Sequence, residues 1–343
     1  MNPDQDFNED LFEHYRIVVD KGQSLLRIDK FLVNRIENAS RTKIQNAARA
    51  GNILVNNRVV KPNYKVKPED VISILLPGEP HEIENIPEDI PLNIIYEDED
   101  VLIVNKPSGM VVHPAYANYT GTLFNALLFY FLGKTDKAGQ KIFPWLVHRI
   151  DKDTSGLLII AKNELAQAKL SHQFYEHSIK REYTALVWGD LENETGTIEG
   201  YINRSQKDRR IMTIYEDPEK GRASITHYRV IKRWDYVTLV NCSLETGRTH
   251  QIRAHFASIG HPLFGDTAYG GRQILKGSLY SKYKQFVENS FSLLKGQALH
   301  ARTIGFIHPS SHQEVYFESE LPADFQEVIE RWDRYVMGRN FAS

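Results

Sequence analysis

The sequence predicts an α+β protein: a large domain on a mainly antiparallel, mixed sheet, preceded by a small α/β module. Three observations carry that reading. From residue 93 onward strand-like runs follow one another with few helices between them, without the strand–helix–strand rhythm of a doubly wound sheet. Charge is segregated: Lys21 to Asp70 holds eleven Lys and Arg against four acids, a net +7, whereas Glu79 to Asp100 holds nine acids and no Lys or Arg. Between these regions GEPHEIENIPEDIPLN, rich in Pro and acids and without apolar period, reads as a linker. The expected organisation is a disordered tail at 1–14, a basic module at 15–78, a linker at 79–92 and the large domain at 93–343. At 343 residues the chain exceeds one average domain and has apolar content for a sizeable core.

The elements follow in order. RIVVD (16–20) is a short strand, and Arg27 to Ile36 places Ile28, Phe31, Leu32 and Ile36 at helical spacing. In SRTKIQNAARAG (40–51), Ser40 is an N-cap, three alanines favour helix and Gly51 stands at the C-cap, with Arg41, Lys43 and Arg49 on the surface. NILVNNRVV is a hairpin turning at Asn56-Asn57, and DVISILLP closes the module with a strand. In the large domain IIYEDEDVLIVNKP gives two strands about an acidic turn, and TLFNALLFYFL is an apolar helix. WLVHRI, LLIIAKN, REYTALVWG, TIEGYI, ASITHYRVIKRW and YVTLVNCSLE are strands, the last two joined by a turn at Trp234-Asp235. Helices are expected near 164–178 and 249–259. The tail PADFQEVIERWDRYVM is amphipathic, with Phe325, Val328, Ile329, Trp332 and Tyr335 on one side, and docks on the core.

Composition excludes several classes. One cysteine, Cys242, cannot build a disulfide framework or a Cys-rich zinc site and suits a reducing compartment. His148, His250, His255 and His300 lie far apart or at awkward spacing for a metal motif. No apolar run approaches a membrane span and the acidic start is no signal peptide, so a cytoplasmic monomer is expected. A net charge of −2 hides the basic module, which is large enough for a phosphate-binding footprint and equally compatible with a solvated face. A Walker-type loop and a dinucleotide glycine fingerprint are both absent, so neither ATP nor NAD is indicated.

Several segments concentrate chemistry. HRIDKDTSGLLIIAKN (148–163) places an imidazole, a guanidinium and two carboxylates against an apolar strand, where charge is costly unless paired. Asp151 and Asp153 suit either a glycosidase-type pair or the capping of a turn. In SLETGRTHQIRAH (243–255), Thr246-Gly247 turns and Thr249 can cap the next helix. Arg253 lies among apolar neighbours and needs an anion, a substrate phosphate or a carboxylate such as Asp151, unless it is a surface arginine. Alternation in IKREYTALVWG turns Tyr183, Ala185 and Val187 to one inward face. NKPSGMVVHP suits a loop gripping an anion or an ordinary turn.

HRIDKDTSGLLIIAKN, KREYTALVWG, ETGRTHQIRAH and LHARTIGFIHP occur in that order, with VLIVNKPSGMVVHP before them and HPLFGDTAYG between the last two. Together they are similar to the RluA/RluD family of pseudouridine synthases over residues 15 to 320, most like the RluD branch. The module at 15–78 resembles the small RNA-binding domain of ribosomal small-subunit protein four. Two departures stand out: Ile150 where leucine is usual, and residues 271–296, which match no motif and are expected to form a variable loop. The resemblance implies a pseudouridine synthase fold and isomerisation of uridine in RNA, most readily 23S ribosomal RNA or a pre-ribosomal particle, with no metal or cofactor. It makes Asp151 the nucleophile or base and has Arg253 pair with it. Tyr183 would stack on the base and Arg149 would fill the gap left by its extrusion. Thr154, Leu299, Arg248 and His250 would line the substrate site, and Arg41, Lys43 and Arg49 would meet RNA phosphates. Two rival readings remain at this point: a catalytically silent assembly factor, and a glycosidase using Asp151 and Asp153.

Overall fold

The structure, a computed structural model, describes residues 11–33, 35–36, 39–77, 86–114, 118–208, 210–277 and 280–340. They fall into two compact units, Met1–Glu84 and Asn85–Ser343. The first contains β1 (Leu11–Val18), β2 (Leu26–Arg27), α1 (Ile28–Val33), α2 (Arg41–Arg49), β3 (Ile53–Val55), β4 (Arg58–Val59), β5 (Lys65–Val66) and β6 (Val71–Pro77). Strands β1, β6, β3 and β4 form one antiparallel sheet and β2 pairs with β5. Helix α2 is capped by the Ser40 hydroxyl, which accepts from Lys43 N, and Gly51 follows it at φ +82°. The β3–β4 turn uses Asn56 and Asn57, both in the left-handed region that Asn tolerates. Ile28, Phe31, Leu32, Ile44, Ala48, Ile53 and Ile72 make this unit's own core.

Two boundaries differ from expectation. Residues 1–10 and 78–85 lie outside the described residues, but Leu11 to His14, expected within the disordered tail, are already strand. Residues 86–92, expected as linker, are fastened to the larger unit. Asn125 donates to Ile86 O (2.8 Å), Glu88 N bonds Asn125 O (3.0 Å) and the Glu88 carboxylate accepts from Gly121 N (2.9 Å).

The larger unit contains β7 (Ile94–Glu97), β8 (Val101–Lys106), α3 (Leu123–Tyr130), β9 (Trp145–Leu146), β10 (Ser155–Ala161), α4 (Glu164–Tyr175), β11 (Lys180–Trp188), β12 (Thr195–Arg204) and β13 (Met212–Tyr215). It continues with β14 (Arg222–Arg233), β15 (Val237–Leu244), α5 (Gln251–Ser258), α6 (Ser281–Leu293), β16 (Leu299–Ile307), β17 (Glu314–Glu318) and α7 (Ala323–Asn340). Its strands form one sheet of eleven, in the order β13-β12-β14-β15-β11-β16-β10-β8-β7, with β17 on β16 and β9 on β10. Every pairing is antiparallel except β10 with β16. WLVHRI yields only the two-residue β9, because the chain leaves the sheet to carry the segment before Asp151. The segment 271–296 is not a variable loop throughout. It holds α6, whose Tyr283, Val287 and Phe291 pack with Trp188 of β11 and with Phe325, Val328 and Trp332 of α7 in a second core. Among the described residues no helix is long and apolar enough to cross a membrane.

The parallel seam is narrow. At Gly156, φ is +119°, and an added Cβ would stand 2.3 Å from Ala301 O. Glycine alone lets β10 approach β16 that closely, directly beyond the loop bearing Asp151. Gly156→Ala is expected to cost about 2–4 kcal/mol of stability, read as a lower urea midpoint at unchanged slope.

Candidate active site

The loop before β10 is fixed from below. Lys106, buried at the end of β8, donates to three carbonyls, Pro107 O (2.9 Å), Met110 O (2.8 Å) and Lys152 O (2.9 Å). Burial pushes its pKa down to about 7, against the opposing charges of Asp153 and Asp151, and three acceptors match the three N–H groups of an ammonium. The NKPSG turn therefore grips backbone. Ser108 Oγ donates to Asp153 O (2.8 Å), Thr154 N bonds Asp151 O (3.1 Å), and Gln297 donates to Thr154 Oγ1 (3.0 Å). His148 Nε2 accepts from Ile159 N (2.9 Å) while the ring stacks on Phe174. These bonds leave the Asp151 carboxylate facing a cavity.

Helix α5 brings the counter-charge. Arg253, 7% exposed, donates from one terminal nitrogen to Asp151 Oδ2 at 2.9 Å. Its other edge forks onto Asp266, Nε to Oδ2 at 2.7 Å and the second terminal nitrogen to Oδ1 at 3.0 Å. Asp266 is wholly buried and also accepts from Ala268 N and Tyr269 N. Burial opposes the Arg253 charge, but the bonds and charges of Asp266 and Asp151 outweigh it and hold the pKa above the ordinary value. The guanidinium also lies over the Tyr269 ring.

His250 occupies the N-cap of α5 at φ +56° and makes no capping bond, so Thr249 does not cap this helix. Its Nε2 stands 3.9 Å from Asp151 Oδ1 and its Nδ1 3.1 Å from the Tyr269 hydroxyl. Burial lowers its pKa, with Asp151 opposing and Arg253 adding to the fall. Gln251 ties the helix start down, accepting from Thr246 Oγ1 and Arg248 N and donating to Ile225 O. Tyr183, from β11, is 7% exposed; burial raises its phenol pKa, the Arg181 guanidinium opposes and Asp151 adds to the rise.

One cavity, with about 450 Å³ of empty space and open to solvent, is lined by Asp151, Tyr183, Arg253, Arg149, Thr154, Leu299, Arg248 and His250 together. Ile150, Arg181, Leu244, Gly247, Gln251 and Ile252 complete its wall. Asp153 lines a separate, smaller hollow with Ser108, Lys295 and Gly296, so the two carboxylates do not face one space. In the first unit, Arg41 does not stand free: with Arg27 and Gln45 it converges on the buried Asp29. Burial works against that carboxylate, yet the three donors hold it far below the usual range. Arg49 bonds Asn46 (3.1 Å) and Lys43 is exposed.

Sequence reasoning missed Asp266, Tyr269, Lys106 and Arg181. HPLFGDTAYG contains the first two, but nothing local in it reveals that its acid reaches back thirteen positions to Arg253. Arg181 did leave a signal: two residues before Tyr183 on an alternating strand, it shares that face.

Comparison with known proteins places both units in families. Residues 100–258 match the family model described as RNA pseudouridylate synthase, and residues 26–72 match the S4 domain. An RNA pseudouridine synthase of Bacillus subtilis (strain 168) is 44% identical over 92% of this chain and 96% of its own length. The ribosomal large subunit pseudouridine synthase D of Zymomonas mobilis is 43% identical, covering 88% of this chain and 92% of its own; that of Escherichia coli (strain K12) is 38% identical, covering 91% and 92%. The solved structure of human RNA pseudouridylate synthase domain containing 4 shares the fold, with a TM-score of 0.56 at 22% identity over 70% of this chain and 93% of that one.

The helix bearing Arg253 also gives the protein a pH dependence. His255 is wholly buried between Thr226 Oγ1 (2.8 Å) and Ser224 Oγ (2.9 Å), and burial pushes its pKa down to about 4. His300, held by Ser155 and Ser319, is pushed to about 4 in the same way. Below the unfolded value of about 6.5 the unfolded chain takes up protons that the folded state refuses. Stability is therefore full above that value and is lost as pH falls through 4. Urea unfolding at about pH 7.5 and about pH 4.5 should differ by about 2 kcal/mol for each histidine, and His255→Gln should reduce the difference.

Proposed function

Because the chain belongs to the RNA pseudouridylate synthase family and is an RNA pseudouridine synthase, we propose that its substrate is large-subunit ribosomal RNA and that Asp151 acts on an extruded uridine. The relatives named ribosomal large subunit pseudouridine synthase D support the choice of RNA. The observation that carries the catalytic assignment is the 2.9 Å pair between Arg253 and Asp151 at the wall of an open cavity.

The isomerisation breaks the bond between N1 of uracil and C1′ of the ribose, turns the base and joins C5 to C1′. The C5 proton leaves to solvent and N1, freed from the ribose, takes one up, so atoms balance without a released product. A stacked base cannot reach the cavity and must be flipped. Arg149, exposed at its rim, takes the vacated place, while Tyr183 and Leu299 pack on the base. Asp151, paired with Arg253, answers the positive charge that develops at C1′, either by attacking that carbon or by removing a sugar proton. Thr154, Arg248 and His250 border the same space and position the nucleotide. The first unit contacts phosphates through Arg41, Lys43 and Arg49 and supplies affinity without reading a base. The protein works as a cytoplasmic monomer on ribosomal RNA or a partly assembled particle.

Unmodified large-subunit ribosomal RNA carrying tritium at C5 of uridine tests the proposal. The natural chain should release label to water, and Asp151→Asn should lose about 10³-fold or more while still binding RNA. Asp153→Asn should keep near-natural activity, since its carboxylate lies in a different hollow. Free uracil would indicate hydrolysis instead, and binding without release from any variant would indicate a silent assembly factor.

A further inference from the structure

Four guanidinium groups line the cavity, from Arg149, Arg181, Arg248 and Arg253, but only one carboxylate, Asp151. Arg253 already has its anions. Arg149 is exposed, where water satisfies its charge, and Arg248 spends Nε on the Ala223 carbonyl (3.2 Å). Arg181, like Arg248, is half-buried and pairs with no carboxylate among the described residues, but it differs at Nε. Its Nε is buried and finds no acceptor.

Its position is nonetheless well determined. The guanidinium lies over the Phe174 ring, 5.4 Å from the centroid, and reaches the turn between β15 and α5, where a Cβ on Gly247 would stand 3.0 Å from a terminal nitrogen. It thus crosses the cavity wall from β11 to that turn and hydrogen-bonds the Tyr183 phenol, a neutral partner that leaves its charge unanswered. A fixed, half-buried guanidinium without a carboxylate is an unfavourable arrangement that an anionic ligand relieves. Uracil and ribose offer only neutral acceptors, so the anion an RNA substrate can bring here is a phosphodiester.

We infer that Arg181 grips the backbone phosphate of the extruded nucleotide, which seats its ribose over Asp151. The inference rests on the uridine-extruding function proposed above. A planar fork can hold two phosphate oxygens at once, fixing orientation as well as adding charge. Arg181 is thereby a binding and positioning residue of the reaction.

Filter-binding affinity for unmodified large-subunit ribosomal RNA, across a series of potassium chloride concentrations, tests this together with the kinetics of tritium release. Arg181→Gln should weaken binding and raise KM about tenfold, with kcat changed far less, and should make the salt dependence of binding shallower by about 0.7–1 in log–log slope. Arg181→Lys keeps the charge and should keep the slope while recovering part of the affinity. Unchanged binding and slope in Arg181→Gln with a lowered kcat would overturn the inference and assign Arg181 to Tyr183 alone. An altered slope shared by the Lys variant would also overturn it, since a local disturbance would then explain both. Should the natural chain bind RNA yet release no tritium, the proposed function fails, and the binding slopes still decide whether Arg181 meets a phosphate.

Discussion

A single buried guanidinium holds the site together. Arg253 turns one edge to Asp266, behind it, and one nitrogen to Asp151, in front. Two carboxylates on one guanidinium leave the cluster with a net negative charge, and only Asp151 carries that charge to the cavity. A lone carboxylate beside the apolar run of β10 would be costly, and so would a lone arginine on α5. Asp266 answers the arginine from behind, and the arginine in turn answers Asp151. Removing one member of such a buried set typically costs about 3–5 kcal/mol, so stability and geometry at this point rest on the same bonds.

The rest of the larger unit supplies the three elements that meet at the pair. The parallel seam of β10 and β16 aims the Asp151 loop, and Gly156 permits the close approach. Lys106 binds the carbonyl of Lys152 and so ties that loop to β8. On the other side Gln251 and His255 fasten α5 to β14 through Ile225, Thr226 and Ser224. These anchors are polar, buried and satisfied, which favours one arrangement over near alternatives. Tyr183 enters from β11, the neighbour of both β15 and β16.

Local pattern made much of this legible. Ser40 and Gly51 bounded α2, Asn56-Asn57 marked a turn, and alternation put Tyr183, Ala185 and Val187 into the core. What failed was information that is not local. The run WLVHRI has strand composition, yet His148 is needed against Ile159 N and Phe174, so the chain departs from the sheet after Leu146. Helix α6 has an apolar stripe at Tyr283, Val287 and Phe291, but Lys, Ser and Asn between them obscure it until Trp332 of α7 provides a surface. The anion required by Arg253 was legible as a need and Asp151 as one candidate. Asp266 was not, because only the turn after α5 brings it to the far edge of the guanidinium.

The dependence of Asp151 on this arrangement is open to direct measurement through Asp266, which does not line the cavity. In Asp266→Asn one oxygen can still serve the amides of Ala268 and Tyr269 and one Arg253 terminal nitrogen, while the amide nitrogen faces Arg253 Nε and breaks the fork. The single-turnover rate of tritium release at saturating RNA should then fall about 10–100-fold, as expected for a small displacement of the carboxylate proposed to react, with RNA affinity unchanged. A folded Asp266→Asn protein that reacts at the natural rate would contradict the account.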